Sequence, residues 1–449
     1  MVALFDRLKP APHLPEITDQ EAVEKNYSYW RLRIFYSMYL GYALYYLTRK
    51  SFTFAMPVLI RDLGFDKGQL GFLGSILSIS YGLSKFASGV MGDKSNPRYF
   101  MAIGLILTGL VNIFFGLSSS LMFFALYWGL NGWFQGFGWP PCARLLTHWY
   151  SQSERGRWWS MWNTSHNVGG ALIPLITAFF AQYYGWRVAM VVPGIIVIFG
   201  GLYLMNRLRD TPQSLGLPPI EKFRADYPPS ATPKNLKERE LSAKEILFDY
   251  VLTNPFIWIL GLSYFFVYIV RTAINDWTVL YLVESKGYSP LGAGGVVFWF
   301  EIGGILGSLA AGWFSDKLFF GNRGPINALF CLFIVLSIAT FWYAPFTTPL
   351  WDSVMIFVFG FFIFGPQMLI GMAAAELAHK KAAATATGFV GWIAYLGAAF
   401  AGYPLGKITQ DFGWEGFFVT LLACGVISSI LLFPLWNVQK VSRQRQTTV

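Results

Sequence analysis

About twelve long apolar stretches run along this chain, and they constrain its fold more than any other feature. Each is near the ~20 residues that an α-helix needs to cross a bilayer. Of the 449 residues, 55% are hydrophobic and only 13% are charged. The sequence therefore predicts an all-α polytopic membrane protein with twelve transmembrane helices. Their approximate limits are 31–60, 69–92, 98–118, 121–150, 158–183, 186–206, 256–283, 289–315, 325–345, 350–378, 382–408 and 414–437.

A polar, proline-rich stretch at residues 207–255 divides these segments into two sets of six. Its charges and prolines are typical of a linker. The predicted organisation follows the chain in five parts: a cytoplasmic N-terminal segment (1–30), an N-terminal six-helix bundle (31–206), a cytoplasmic linker (207–255), a C-terminal six-helix bundle (256–437) and a cytoplasmic tail (438–449).

One polar pattern occurs in the first apolar segment of each half. Tyr42, Tyr46 and Arg49 share the spacing Tyr-x3-Tyr-x2-Arg with a second set, Tyr264, Tyr268 and Arg271. The two arginines are 222 positions apart (271 − 49). Positions i, i+4 and i+7 of a helix share one face. Each half therefore directs one arginine, accompanied by tyrosines, to one side of a helix within the membrane.

A second motif repeats at almost the same offset. Gly89-x3-Asp93-Lys94 follows the second segment, and Gly312-x3-Asp316-Lys317 follows the eighth. Two independent motifs at nearly one offset indicate two six-helix pseudo-repeats of the same topology. Transporters built from such repeats bind substrate near the midplane of the bilayer. The sequence thus favours a small-molecule transporter.

A guanidinium inside a membrane is costly and requires an anionic partner. An internal ion pair with Asp276 or Glu301 would satisfy a single arginine. A symmetric pair of arginines instead favours an anionic ligand, and the planar fork of arginine matches a phosphate bidentately. We therefore expect Arg49 and Arg271 to bind a phosphate group.

Two further basic side chains are candidates for the same site. Lys85 lies eight residues inside the second segment. It is a candidate third cation for the anion or an intracellular gate, unless it extends to the interface as long basic side chains do. His166 stands among small polar residues of the fifth segment. It is a candidate ligand contact whose protonation could tune phosphate binding, or a packing residue.

The acidic residues within the segments have two possible roles. Asp276 and Glu301 either carry a proton in a symporter or hold a nearby cation such as Arg271 when no substrate is bound; the second is preferred. Near the membrane surface, Asp93 and Asp316 are expected to act in gating by pairing with arginine or capping a helix. Arg144 is expected to form a structural or gating pair.

The distribution of Lys and Arg places both termini on the cytoplasmic side, because basic loops remain there. Those loops also account for the net charge of +10 without nucleic acid. The three cysteines offer neither a metal-binding spacing nor a disulfide framework. No phosphate-binding glycine loop or nucleophile–base arrangement stands out, so an enzyme, a cofactor or a bound metal is not expected.

Several motifs, in order along essentially the whole chain, resemble the organophosphate:phosphate antiporters of the major facilitator superfamily. They are Tyr-Leu-Thr-Arg49-Lys-Ser-Phe, Tyr81-Gly-Leu-Ser-Lys85-Phe, Gly138-Trp-Pro-Pro-Cys142, His166-Asn-Val-Gly-Gly170, Phe364-Gly-Pro-Gln-Met-Leu-Ile-Gly371 and Gly388-Phe-Val-Gly.

This resemblance implies the major facilitator fold and exchange of an external sugar phosphate, such as glucose 6-phosphate, for internal inorganic phosphate. In such proteins the residues matching Arg49 and Arg271 hold the phosphate. The matches of Tyr42, Tyr46, Tyr81, Tyr395, Lys85 and His166 line the site. Two departures concern selectivity: Phe364 replaces a tyrosine found in glycerol-3-phosphate transporters, and Thr387-Gly-Phe-Val390-Gly lacks the Asp and Lys of hexose-phosphate transporters.

The expected setting is the bacterial inner membrane, crossed many times by a monomer. The lipid bilayer, a phosphate ester and inorganic phosphate are its partners. A different class of function is a membrane receptor that senses glucose 6-phosphate and signals to a histidine kinase, because such a receptor would share the binding residues. A proton-driven symporter using Glu301 or Asp276 is a third alternative.

Overall fold

The computed structural model describes residues 8–93, 95–225, 244, 246–320, 322–344, 348–378 and 383–436. The basic loop residues Lys94, Lys380 and Lys381 lie outside the described residues, as does the side chain of Asp93.

Helices of the first half follow the predicted segments in order. They are α1 (Gln20–Leu63), α2 (Lys67–Asp93), α3 (Pro97–Leu117), α4 (Leu121–Gln135), α5 (Trp139–Trp149), α6 (Gln152–Asn163), α7 (Ser165–Tyr184), α8 (Trp186–Arg207) and the short α9 (Ile220–Arg224).

The second half begins with a π-helical turn at Ile246–Val251 and continues through six longer helices. They are α10 (Pro255–Lys286), α11 (Pro290–Lys317), α12 (Arg323–Tyr343), α13 (Pro349–Leu377), α14 (Ala383–Phe400) and α15 (Tyr403–Leu432). Asn254 caps α10, because its side chain accepts the backbone N–H of Phe256 at the first turn. Seven stretches in the described residues are long and apolar enough to cross a membrane, one of them covering α14 and α15 together.

Three predicted segments are interrupted. The fourth segment breaks between α4 and α5, because Pro140 and Pro141 have no N–H to continue the helix and are tolerated only in its first turn. The fifth breaks at Thr164, between α6 and α7. The eleventh breaks between α14 and α15, and α15 contains a further kink at Gly413, whose φ is 67°.

Contacts divide the chain into two compact units that do not coincide with the two sequence halves. Unit 1 comprises Met1–Phe52, Ser80–Ile173 and Arg187–Glu238. Unit 2 comprises Thr53–Ile79, Pro174–Trp186 and Arg239–Val449. Unit 2 therefore includes the end of α1, the start of α2 and the end of α7 together with the helices of the second half.

In unit 1, the segment before α1 is hydrogen-bonded to loops that follow later helices. The backbone N–H groups of Leu14 and Ile17 donate to the carbonyls of Gln213 and Gly216, at 3.0 and 2.7 Å. Asn96 N–H donates to the Leu8 carbonyl at 2.7 Å. This segment, residues 8–19, is the N-terminal strap of unit 1.

Glu154 joins three parts of unit 1 near the strap. It forms a capping box with Ser151 at the start of α6 and ion pairs with Arg31 of α1 and Arg224 of α9, at 2.5 and 3.5 Å. Burial raises the pKa of the Glu154 carboxyl, but hydrogen bonds and the charges of both arginines outweigh this, and the pKa lies below its usual value.

In unit 2, the start of α2 packs closely on the turn between α14 and α15. A Cβ at Gly71 would lie 2.4 Å from the Gly402 carbonyl oxygen, so only glycine fits there. The Ser75 hydroxyl donates to the Ala399 carbonyl at 2.5 Å and accepts the Tyr403 N–H at 2.7 Å. This backbone approach is the Gly71–Gly402 contact.

An ion pair accompanies that contact. Lys67 Nζ of α2 lies 2.8 Å from Glu284 Oε2 of α10, and both side chains are partly exposed. The Trp414 indole N–H donates to the same carboxylate oxygen at 3.2 Å. Unit 2 therefore holds the start of α2 against α10 and α15 by charge as well as by packing.

Candidate functional site

Unit 1 positions Arg49 between two aromatic rings. The guanidinium carbon lies 4.5 Å from the centre of the Tyr46 ring and 4.4 Å from that of Tyr81. Both rings are within the distance of a cation–π interaction. Tyr46 precedes Arg49 on α1 and Tyr81 comes from α2, so two helices determine the plane of the guanidinium.

The other α1 tyrosine extends this aromatic surface. Tyr42 contacts the ring of Tyr46 at 6.0 Å and that of Trp162 at 4.9 Å. His166 also contacts Tyr46, with ring centroids 5.9 Å apart. The structure thus places Tyr42 and His166 around Tyr46, which itself contacts Arg49, and their role in binding stays a prediction.

Lys85 stands farther along the same surface. Its Nζ lies 5.7 Å from the ring of Trp139, which contacts Trp159. Trp159 in turn contacts Trp162, beside Tyr42. A row of three tryptophans therefore connects Lys85 to the α1 tyrosines. Sequence analysis missed these indoles, although their clustering around Trp139-Pro140-Pro141 and within residues 158–162 is visible in the chain.

Unit 2 surrounds Arg271 in a similar way. The guanidinium carbon lies 5.5 Å from the Tyr268 ring and 5.1 Å from the Phe364 ring. Tyr268 also contacts Tyr264 at 4.8 Å and Tyr395 at 5.5 Å. The position at which a tyrosine is absent, Phe364, is therefore directly against the second arginine.

The two arginines share one local arrangement. Each follows a tyrosine on its own helix and lies against an aromatic ring from another helix, α2 for Arg49 and α13 for Arg271. Stacking uses the face of a guanidinium, whereas its hydrogen-bond donors lie along the edge. Such an arginine can therefore hold an oxyanion bidentately without leaving its rings.

Buried amides also lie beside Arg49. Its Nε donates to Gln135 Oε1 of α4 at 3.0 Å. Gln135 is 1% exposed and Asn131, one turn earlier, is 0% exposed. Sequence analysis missed this pair. The available signal is the spacing of two amides at i and i+4 in an otherwise apolar segment, which places both on one face.

The acidic candidates lie in unit 2, Asp276 on α10 with Arg271 and Glu301 on α11. Glu301 of α11 is buried and accepts a long hydrogen bond from Asn275 Nδ2 at 3.4 Å. Asn275 is one turn after Arg271, and Asp276, the next residue, is half-buried. This placement suits an internal partner for a cation as well as a proton carrier, so the role of both acids stays a prediction.

Two of the three gating candidates form ion pairs. Asp316 pairs with Arg323 at 2.5 Å, and Arg323 also pairs with Glu376 at 3.2 Å, which links α11, α12 and α13. Arg144 of α5 pairs with Asp210 at 3.0 Å. The Arg144 pair lies within unit 1 and the Asp316 pair within unit 2, and a role in gating stays a prediction for them and for Asp93. Among the described residues, no group of three or more His, Cys, Asp and Glu side chains could hold a metal ion.

Comparison with known proteins extends over almost the whole chain. The chain is 62% identical to a "Probable hexose phosphate transport protein" of Chlamydia pneumoniae, over 96% of each protein. It is 50% identical to the "Membrane sensor protein UhpC" of Escherichia coli, over 96% of this chain and 98% of that protein. It is 43% identical to a "Glycerol-3-phosphate transporter" of Bacillus subtilis, over 97% of this chain and 99% of that protein.

A solved structure shares the fold. The crystal structure of a bacterial homolog to the human lysosomal transporter Spinster matches 91% of this chain and 97% of its own, with a TM-score of 0.72 and 18% identity. The Major Facilitator Superfamily model matches residues 38–402. The chain therefore belongs to the Major Facilitator Superfamily and, within it, to the organophosphate:phosphate antiporter family; it is a transporter-family protein and not an enzyme.

Proposed function

We propose that this protein exchanges a sugar phosphate, with glucose 6-phosphate as the first candidate, for inorganic phosphate across the bacterial inner membrane by alternating access. Arg49 and Arg271 bind the phosphate group. The protein acts as a monomer with both termini in the cytoplasm. The remaining residues of the proposed binding site are Lys85, His166, Tyr42, Tyr46, Tyr81, Tyr268 and Tyr395.

One observation carries this proposal. Each unit contains an arginine against two aromatic rings, at positions that the Tyr-x3-Tyr-x2-Arg repeat makes equivalent. A half-buried guanidinium such as these recognises a phosphate better than a neutral sugar, because the interaction is charge-assisted and bidentate. Two equivalent arginines suit a phosphate group, and a sugar phosphate and inorganic phosphate both carry one. The same arginines can therefore bind either substrate, which supports exchange.

The names of the relatives support the substrate class. The Chlamydia pneumoniae protein is named for hexose phosphate and the Bacillus subtilis protein for glycerol 3-phosphate. Their common chemistry is a phosphate monoester. Identity to the first is higher, 62% against 43%, which favours a hexose as the esterified group.

The test is uptake of labelled glucose 6-phosphate by liposomes that contain the purified protein, with and without internal phosphate. Exchange predicts uptake only when phosphate is inside, unchanged by an uncoupler. Uptake that needs no internal phosphate and collapses with the uncoupler would contradict exchange and indicate proton coupling through Glu301 or Asp276.

A second candidate function is sensing of external glucose 6-phosphate, with signalling to a membrane histidine kinase. The observation that favours it is 50% identity to a membrane sensor protein over nearly the whole chain. A sensor needs the binding site but not turnover. Saturable binding of glucose 6-phosphate without uptake under any gradient would therefore replace the antiporter proposal by this one.

A further inference from the structure

The side chain of Gln135 is oriented by its own hydrogen bonds. The two N–H groups of its Nε2 are shared among three acceptors: the Tyr45 carbonyl and the Thr48 hydroxyl, both at 3.1 Å, and Asn131 Oδ1 at 3.3 Å. These partners include a carbonyl that can only accept, which assigns the nitrogen of the amide to this side. Gln135 Oε1 is thereby directed to Arg49 Nε, 3.0 Å away.

Asn131 is oriented in the same way. Its Nδ2 donates to the Thr48 carbonyl at 2.8 Å, which leaves Oδ1 as the acceptor for Gln135. Thr48, Asn131 and Gln135 are all almost completely buried. A buried network of hydrogen bonds between α1 and α4 therefore includes Arg49 Nε. Such buried networks fix side-chain geometry when every member has its partners.

The rings and the amide restrict different motions of Arg49. Tyr46 and Tyr81 confine the plane of the guanidinium, because they lie 4.5 and 4.4 Å from its central carbon. The rings alone leave the guanidinium free to rotate within that plane. The hydrogen bond between Arg49 Nε and Gln135 Oε1 restricts this rotation. A fork that is fixed in plane and in rotation binds an oxyanion at a smaller entropic cost.

We propose that Gln135 is a positioning residue that holds the Arg49 guanidinium in the orientation needed to bind the substrate's phosphate group. This inference rests on the proposed function, in which Arg49 is a phosphate ligand. Gln135 itself does not touch the substrate. Its contribution is to the affinity for every phosphate-bearing substrate, and not to the choice of sugar.

A matched amide separates positioning from plain structural support. Asn112 of α3 is also 0% exposed and also contacts α1, through Ser51 Oγ at 3.1 Å. It donates to the Met190 carbonyl at 2.6 Å, so it bridges helices as Gln135 does. The hydrogen bonds of Asn112 end at Ser51 and Met190 and do not reach Arg49.

The experiment compares Gln135→Met with Asn112→Met in the purified full-length protein. Inorganic phosphate binding is measured by calorimetry, thermal stability by a melting curve, and phosphate exchange in liposomes. Methionine keeps the volume of Gln135 and removes its amide; at the buried Asn112 it removes the amide and adds volume, so the control disturbs packing more strongly. We expect Gln135→Met to weaken phosphate binding about tenfold or more, the usual effect of losing a hydrogen bond to a charged group. The half-saturating phosphate concentration rises, and the maximal exchange rate is kept.

The control separates the two roles. Asn112→Met is expected to lower the melting temperature and leave phosphate affinity unchanged. Should Gln135→Met not fold, Thr48→Val removes one acceptor of the Gln135 amide and is expected to weaken binding by a smaller factor. Wild-type affinity in Gln135→Met, or in Thr48→Val where only that variant folds, would overturn the positioning role. An equal loss of affinity in Asn112→Met would also overturn it. Absence of phosphate binding by the wild-type protein would instead overturn the proposed function.

Discussion

Lysine is not expected to replace either Arg49 or Arg271, although it conserves the charge. An ammonium is a point charge and cannot reproduce the two parallel N–H donors of a guanidinium. It also cannot stack by a flat face on the two rings that contact each arginine. We therefore predict that Arg49→Lys and Arg271→Lys each abolish phosphate exchange in liposomes.

The control for these variants is Arg187→Lys. Arg187 donates to the carbonyls of Gly116 and Ser118 at the end of α3, away from the aromatic residues of the site. It is expected to exchange phosphate at close to the wild-type rate. Near-normal exchange by Arg49→Lys or Arg271→Lys would show that a forked donor is not required at that position.

At this scale, sequence shows charged and repeated residues more readily than neutral ones. Arg49 and Arg271 can be recognised because a charge within an apolar segment is rare and the spacing recurs. Gln135 is as closely involved with Arg49, at 3.0 Å, but an amide in a membrane helix commonly serves helix packing. Only the packing of α4 beside α1 in the structure shows that Gln135 contacts Arg49.

At the scale of the helices, the sequence also shows some features more readily than others. Length and hydropathy predict the order of the apolar segments, and the predicted limit at residue 256 is within one residue of the start of α10 at Pro255. The interruption before α5 was missed, although Pro140 and Pro141 mark it. The apolar composition continues through the break, so hydropathy does not detect it, whereas the missing backbone donors end the helix.

Between elements, the Gly71–Gly402 contact leads to a second prediction. A methyl at position 71 would lie 2.4 Å from a backbone oxygen, which cannot move as a side chain can. Overpacking of this kind costs about 1–3 kcal/mol. Under alternating access the state that contains this contact becomes less populated, so Gly71→Ala is expected to slow phosphate exchange at least several-fold and leave phosphate affinity nearly unchanged.

Gly74→Ala provides the control on the same helix. A methyl there would meet only Gly402 Cα, at the ordinary contact distance of 3.7 Å. Exchange rates and phosphate affinities of the two variants are measured side by side in liposomes and by calorimetry. Equal exchange rates in Gly71→Ala and Gly74→Ala would mean that the close approach does not limit the cycle.

For the whole molecule, alternating access requires contacts that form in one state and break in the other. The ion pair between Lys67 and Glu284 is suited to this, because both side chains are partly exposed and the pair is worth only about 1 kcal/mol or less. We predict that Lys67→Glu and Glu284→Lys each lower the exchange rate several-fold, since each places like charges together. The combined swap is expected to restore exchange.

A second pair serves as the control for charge changes. Lys407 and Asp411 are neighbours one turn apart on α15, both more exposed, at 3.0 Å. Reversing either charge there is expected to leave exchange unchanged. If the combined swap of Lys67 and Glu284 is no better than the single variants, the pair does not act as a unit in the cycle.

The N-terminal strap has a practical consequence for handling the protein. Its Ala11 N–H donates to Asp210 at 2.9 Å, and Asp210 is the buried partner of Arg144. A fusion or cleavage site placed within residues 8–19 would disturb hydrogen bonds to two loops, the one between α2 and α3 and the one between α8 and α9. Shortening the chain from this end would expose a buried carboxylate to water and weaken its ion pair. Affinity tags and cleavage sites therefore belong outside residues 8–19.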